Sequence, residues 1–173
     1  MNAIVPLISS GTPCPFTNTL HLPRLYVKNA ADKKGRLSPN YPAFGKGYDQ
    51  MVAAALGLSK EVVIGAVEGR SYPKFVEELR RLGANFDAGN IAKLNRAILV
   101  YIHDDVTRGN ILCVEGLTDA TGIRDAVTLN MLDDLRELYS QLNPAPAKKK
   151  EESDPSATAP VEAPAAEATP ATP

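Results

Sequence analysis

The segment "LHLPRLYVKNAADKKGRLSPNYPAFGKGYDQMV", residues 20–52, gathers His21, Arg24, Lys28, Tyr41, Lys46, Tyr48 and Asp49 within about a fifth of the chain. Its portion "FGKGYD", Phe44 to Asp49, is a glycine loop entering a helix. Backbone N–H groups at such a helix start can hold an anion, and Lys46 can add charge. The spacing fits neither the phosphate-binding loop, which needs four residues between its glycines and then Lys-Ser/Thr, nor a dinucleotide fingerprint. A glycine turn feeding a helix capped by Asp49 is the simpler reading. Arg24 and Lys28 stand at i and i+4, one basic turn that suits pairing with acidic residues better than binding a polyanion.

Two further stretches hold carboxylates. "IHDD", Ile102 to Asp105, contains the His-Asp pair used by metal-dependent HD phosphohydrolases. That chemistry needs more imidazole ligands than this chain supplies, since His21 is the other histidine and lies at the end of an extended arm. The simpler expectation puts His103 at the end of one helix and lets Asp104 or Asp105 cap the next. "LNMLDDLRELY", Leu129 to Tyr139, spaces Asn130, Asp133 and Asp134 about one turn apart. In a helix Asn130 and Asp134 share a face while Asp133 points elsewhere, so pairing with Arg or Lys of the first helix competes with acid–base or metal chemistry. Cys14 and Cys113 carry no signature of activation, and no Gly-x-Ser-x-Gly elbow occurs.

The elements that must position these groups read as helices. Residues 1–21, with Pro6, Pro13 and Pro15, form an extended arm whose Ile4, Val5, Leu7 and Ile8 should lie on the domain. Helices are expected from Pro23 to Asp32, from Asp49 to Gly57, after Ser59 to Gly69, after Ser71 to Gly83, from Asp87, and from Asp105 to Val114. The last and longest should span Thr121 to Leu142 with Ile123, Val127, Met131, Leu135, Leu138 and Leu142 facing inward. Spacings of three and four dominate, so the fold class is all-α, a single small bundle of about seven helices over residues 1–143.

Residues 144–173 hold seven of the fourteen prolines and no aromatic residue, the composition of a disordered Pro/Ala/Glu tail. Removing its three Lys and five acidic residues from the totals leaves 16 basic and 15 acidic groups in the body. A body charge of +1 points away from nucleic acid. Two cysteines, no secretory leader and no span of membrane length point to a soluble, cytoplasmic protein.

Taken together, "IVPLISSG" (4–11), "LHLPRLYVKN" (20–29), "GRLSPNYPAFGKGYDQMV" (35–52), "YPKF" (72–75), "NIAKLN" (90–95) and "DAVTLNMLDDL" (125–135) resemble the bacterial family designated domain of unknown function 5069. Members often carry Trp where this chain has Tyr26 and Leu135. The resemblance implies a small helical domain and assigns no reaction or catalytic residue. The functional expectation is a non-catalytic domain for protein interaction or small-ligand binding. Its cleft is formed by His21, Arg24, Lys28, Tyr41, Lys46, Tyr48, Asp49, Asn130, Asp133 and Asp134, with no cofactor, nucleic acid or membrane. The alternative is a metal-assisted hydrolase using Asp104, Asp105, Asp133 or Asp134 with a histidine.

Overall fold

The computed structural model describes residues 3–144; the expected tail, apart from Pro144, lies outside them. Seven α-helices follow in order: α1 Leu22–Asp32, α2 Tyr48–Leu56, α3 Lys60–Val67, α4 Tyr72–Arg81, α5 Ala88–Val100, α6 Asp105–Val114 and α7 Ala126–Leu142, with a 3₁₀ turn at Asp119–Thr121 before α7. Among the described residues there is no strand, only isolated bridges such as Ile4 to Leu37 and Ile102 to Asp125. The fold is all-α.

Local chemistry explains most boundaries. The Ser59, Asp87, Asp104 and Asp125 side chains accept from backbone N–H groups of the first turns of α3, α5, α6 and α7. These are donors that a helix leaves unsatisfied at its start. Gly57 and Gly83 adopt φ of 70° and 86° just past α2 and α4, a left-handed geometry that side chains with a Cβ resist.

Three expectations need correction. Asp49 does not cap α2: the cap position is Gly47, with no side-chain cap bond, and Asp49 lies inside the first turn, turned toward α1. The helix expected from Thr121 begins at Ala126, because Gly122 takes a left-handed φ of 70° and Asp125 becomes the cap. Of the apolar stripe of α7, Val127 packs against the core as expected, but the later part faces outward. Met131, Leu135 and Leu142 are exposed, while Asp134 on another face is buried. Polar partners from the N-terminal half claim the inner face of this helix, as described below.

The core lies among α1 to α5. Leu22 and Leu25 of α1 meet Val52 and Leu56 of α2, Val63 of α3, Phe75 and Leu79 of α4, and Ile98 of α5, all fully buried. Ala126 and Leu129 are the fully buried apolar residues of α7, and α6 packs on α7. The N-terminal arm lies against the bundle: Val5, Ser10, Cys14 and Leu20 are buried. No single helix among the described residues is long and apolar enough to cross a membrane; α2 and α3 reach that length only as a pair bent by 95°. Phe75 touches the rings of Tyr26 and Tyr72 at centroid distances of 5.3 and 6.2 Å. Phe75→Ala should therefore lower the unfolding free energy by about 3–5 kcal/mol, measured by urea titration of the helical circular dichroism.

Candidate functional site

Helix α1 is apolar on the side of Leu22 and Leu25 and charged on another. His21, at its N-cap, and Arg24 and Lys28 follow at i, i+3 and i+7, which sets them along one stripe. That stripe is buried: each of the three side chains is at most 8 % exposed. Burying the Arg24 and Lys28 cations costs several kcal/mol unless each finds a partner, and each one does.

Arg24 donates from Nη1 and Nη2 to both carboxylate oxygens of Asp134, at 2.5 and 2.8 Å, the two-pronged geometry that a planar guanidinium favours. Its Nη1 also donates to the backbone carbonyls of Pro6 and Ile8, so one side chain joins α1, α7 and the arm. Lys28 donates to Asp49 Oδ2 at 2.5 Å, and the backbone N–H of Gly45 donates to the same oxygen at 2.6 Å. Asp49 Oδ1 lies 2.8 Å from His21 Nε2, and His21 Nδ1 lies 3.0 Å from Ser10 Oγ.

The protonation states follow from these contacts. Burial pushes the His21 pKa below its ordinary 6.5, outweighing the hydrogen bond and charge of Asp49 that raise it. Burial pushes Asp49 upward, but the hydrogen bond from His21 and the Lys28 ammonium outweigh it and hold the carboxyl below its usual range. Asp49 is therefore an acceptor only. The neutral imidazole donates from Nε2–H to Asp49 and accepts at Nδ1 from the Ser10 hydroxyl. Ser, His and Asp in a row suggest a nucleophile relay, but Ser10 is buried at 2 % exposure and does not line the cleft. The row holds Lys28 and Asp49 in place instead. His21 keeps a left-handed φ of 65°, a conformation uncommon for a residue with a side chain, and both of its ring nitrogens are bonded there.

Over this stripe the loop from Asn40 to Gly47 and the inner face of α7 enclose an open cleft of about 250 Å³. Its walls include His21, Arg24, Lys28, Tyr41, Tyr48, Asp49, Asn130, Asp133 and Asp134. Of the residues expected from the sequence, Lys46 alone does not line it; that side chain is exposed on the loop. The loop is held to α7 by Glu137, which accepts from Ser38 Oγ and Asn40 Nδ2 at 2.7 Å each. The Arg24 guanidinium lies 5.9 Å from the centroid of the Tyr41 ring. The Tyr41 hydroxyl is buried with no hydrogen-bond partner among the described residues. Burial, together with the charge of the Asp134 carboxylate and a long contact of the hydroxyl toward it, raises its pKa and keeps it protonated. Tyr48 is committed elsewhere, donating to the Ile98 carbonyl at 3.1 Å.

The other carboxylates are spread out. Asp104 caps α6 and also accepts from the Thr107 hydroxyl. Asp105 joins Asp119 on Arg108, and Asp133 faces Arg136. His103 lies beyond the end of α5, 3.1 Å from Asn130 Oδ1. Among the described residues no three His, Cys, Asp or Glu side chains are grouped to hold a metal ion. Ser10, Asn40 and Pro42 escape the sequence reading, which singles out the Gly45–Gly47 loop. Ser10 reaches His21 only because the arm folds back, and nothing in its neighbours marks it.

Asp134→Ala leaves the Arg24 guanidinium buried without its carboxylate and should cost about 3–5 kcal/mol of stability by urea unfolding. For His21 the folded pKa is depressed, so the unfolded chain binds more protons below 6.5. Stability should be level above about pH 7, fall as pH drops through 6.5, and stop falling from this source below the folded pKa. Asp49 adds a second loss, beginning where its unfolded carboxyl starts to protonate near 3.8. His21→Gln should flatten the upper limb of the stability–pH curve and spare the lower one. Compared with protein-family models, with curated proteins and with solved structures, the chain matches none.

Proposed function

We propose that the protein is a non-catalytic binding domain whose cleft between α1, the Asn40–Gly47 loop and α7 takes a small zwitterionic molecule of α-amino-acid type. The observation that carries this reading is a pre-set group of unspent polar atoms on a floor of cancelled charges. Lys28 has three N–H donors and spends one on Asp49. The Tyr41 hydroxyl has no partner among the described residues. Together they suit a ligand carboxylate. Asp133, with its side chain 45 % exposed at the rim and Oδ1 set on Arg136, suits an ammonium at Oδ2. With Arg24 set against Asp134, Lys28 against Asp49 and Arg136 against Asp133, the charges around the cleft pair off and leave no net positive field to favour phosphates and other polyanions. Its size fits a compact molecule rather than a nucleotide or a helix.

The metal-assisted hydrolase reading has less support, because Asp49 and Asp134 are each spent on a cation and Asp104, Asp105 and Asp133 point to separate partners. Three of the six segments that carry the resemblance to the domain of unknown function 5069 family, 20–29, 35–52 and 125–135, supply the walls of this cleft. A cytoplasmic location fits the two unpaired cysteines, one of them exposed.

The test is nuclear magnetic resonance titration of the full chain with a panel of free α-amino acids, using acetate, methylamine and inorganic phosphate as partial mimics. At least one amino acid should shift the amide signals of Gly45, Gly47 and Asn130 in a saturable way. Asp133→Asn, at a half-exposed site, should leave the fold intact and weaken that binding about 10-fold or more. Tighter binding of phosphate, or no shifts at these amides, would remove the reading.

A further inference from the structure

Helix α7 uses its faces unequally. Asn130, Asp134 and Glu137 face the cleft and the loop, and Arg136 lies 3.5 Å from Glu115 at the end of α6. Between these faces run Met131, Leu135, Leu138 and Leu142. Their four-three-four spacing is that of a seam by which one helix packs along another. The seam is open: Met131, Leu135 and Leu142 are 43, 49 and 71 % exposed, with Tyr139 beside them at 67 %, and Leu138 is only partly covered.

The exposure is also local. Ten of the fourteen exposed large apolar side chains among the described residues fall between Leu99 and Leu142. Six of these ten lie on α5, the link after it and α6, and four, Met131, Leu135, Tyr139 and Leu142, lie on α7. The chain's own remainder is poorly suited to cover this seam. Residues 145–173 contain one Val and no Leu, Ile, Met, Phe, Tyr or Trp, so they have no side chain to fill a seam built for such knobs. A second α7 has the right ones, in the right spacing.

We infer that α7 forms the two-fold interface of a homodimer, each copy laying its Met131–Leu135–Leu138–Leu142 seam against the same seam of the other. Such a contact is closed and self-complementary, because the same patch serves both copies. It also fixes the helix that supplies Asn130, Asp133 and Asp134 to the cleft, so pairing steadies one wall of that site.

Sedimentation velocity on the full chain tests this independently of any ligand. The wild type should sediment at about twice 18.5 kDa at micromolar concentration. Leu135→Glu should sediment as a single chain with an unchanged helical spectrum. Leu82→Glu, which changes an exposed apolar residue at the end of α4, should remain a dimer. If Leu135→Glu fails to fold, Leu142→Lys at the last turn of α7 replaces it and should likewise be a single chain. A wild type that stays at single-chain mass up to millimolar concentration overturns the proposal, and assigns the seam to a foreign partner or to the tail. A dimer that survives both α7 substitutions overturns it too, by placing the interface elsewhere.

Discussion

The buried stripe of His21, Arg24 and Lys28 on α1 dictates how the rest of the described chain is arranged. A helix that carries cations into a protein interior must be met by anions and carbonyls from elsewhere, since the cost of leaving them bare exceeds the stability of most small domains. The arm brings the carbonyls of Pro6 and Ile8, α2 brings Asp49, and α7 brings Asp134 across 110 residues of sequence. The arm, α2 and α7 are thus held in part by one ionic stripe, while α3, α4 and α5 are held by the apolar side of the same bundle.

This division accounts for the orientation of α7. Its apolar repeat is regular, yet the inner face is the one that bears Asp134, Asn130 and Glu137. Turned this way, α7 gives Arg24 its two-pronged carboxylate and gives Ser38 and Asn40 their acceptor in Glu137. An unpartnered buried guanidinium costs several kcal/mol, the same order as three or four aliphatic side chains left half exposed at about 1–2 kcal/mol each, and Ala126 and Leu129 stay buried in this orientation.

Much of this architecture is legible in the sequence. Capping residues and glycines mark most helix ends because those signals act over three or four residues. Ser59, Asp87 and Asp104 perform as their local context dictates. The segments 20–49 and 130–134 also announce themselves, since clustered His, Arg, Lys, Tyr and Asp seldom gather in a small helical domain without facing one another. What local pattern misses is distant. Asp49 reads as a cap because it stands at a helix start, but Lys28 and His21 lie 21 and 28 positions away and take it. His21 reads as a cleft residue at the end of an arm, but its seat between Ser10 and Asp49 depends on the arm folding back. The facing of α7 depends on which of two plausible faces finds a partner, and periodicity alone is silent on that.

The cancellation of charge inside the cleft has a kinetic consequence. Two cations locked to two carboxylates cast almost no field beyond a Debye length, so little draws a charged molecule in from a distance. For the ligand proposed above, encounter would be left to plain diffusion and discrimination would begin at contact with Lys28, the Tyr41 hydroxyl and Asp133. A site built in this way works alike in dilute and in salty surroundings. It gives up speed of capture and in exchange is indifferent to ionic strength.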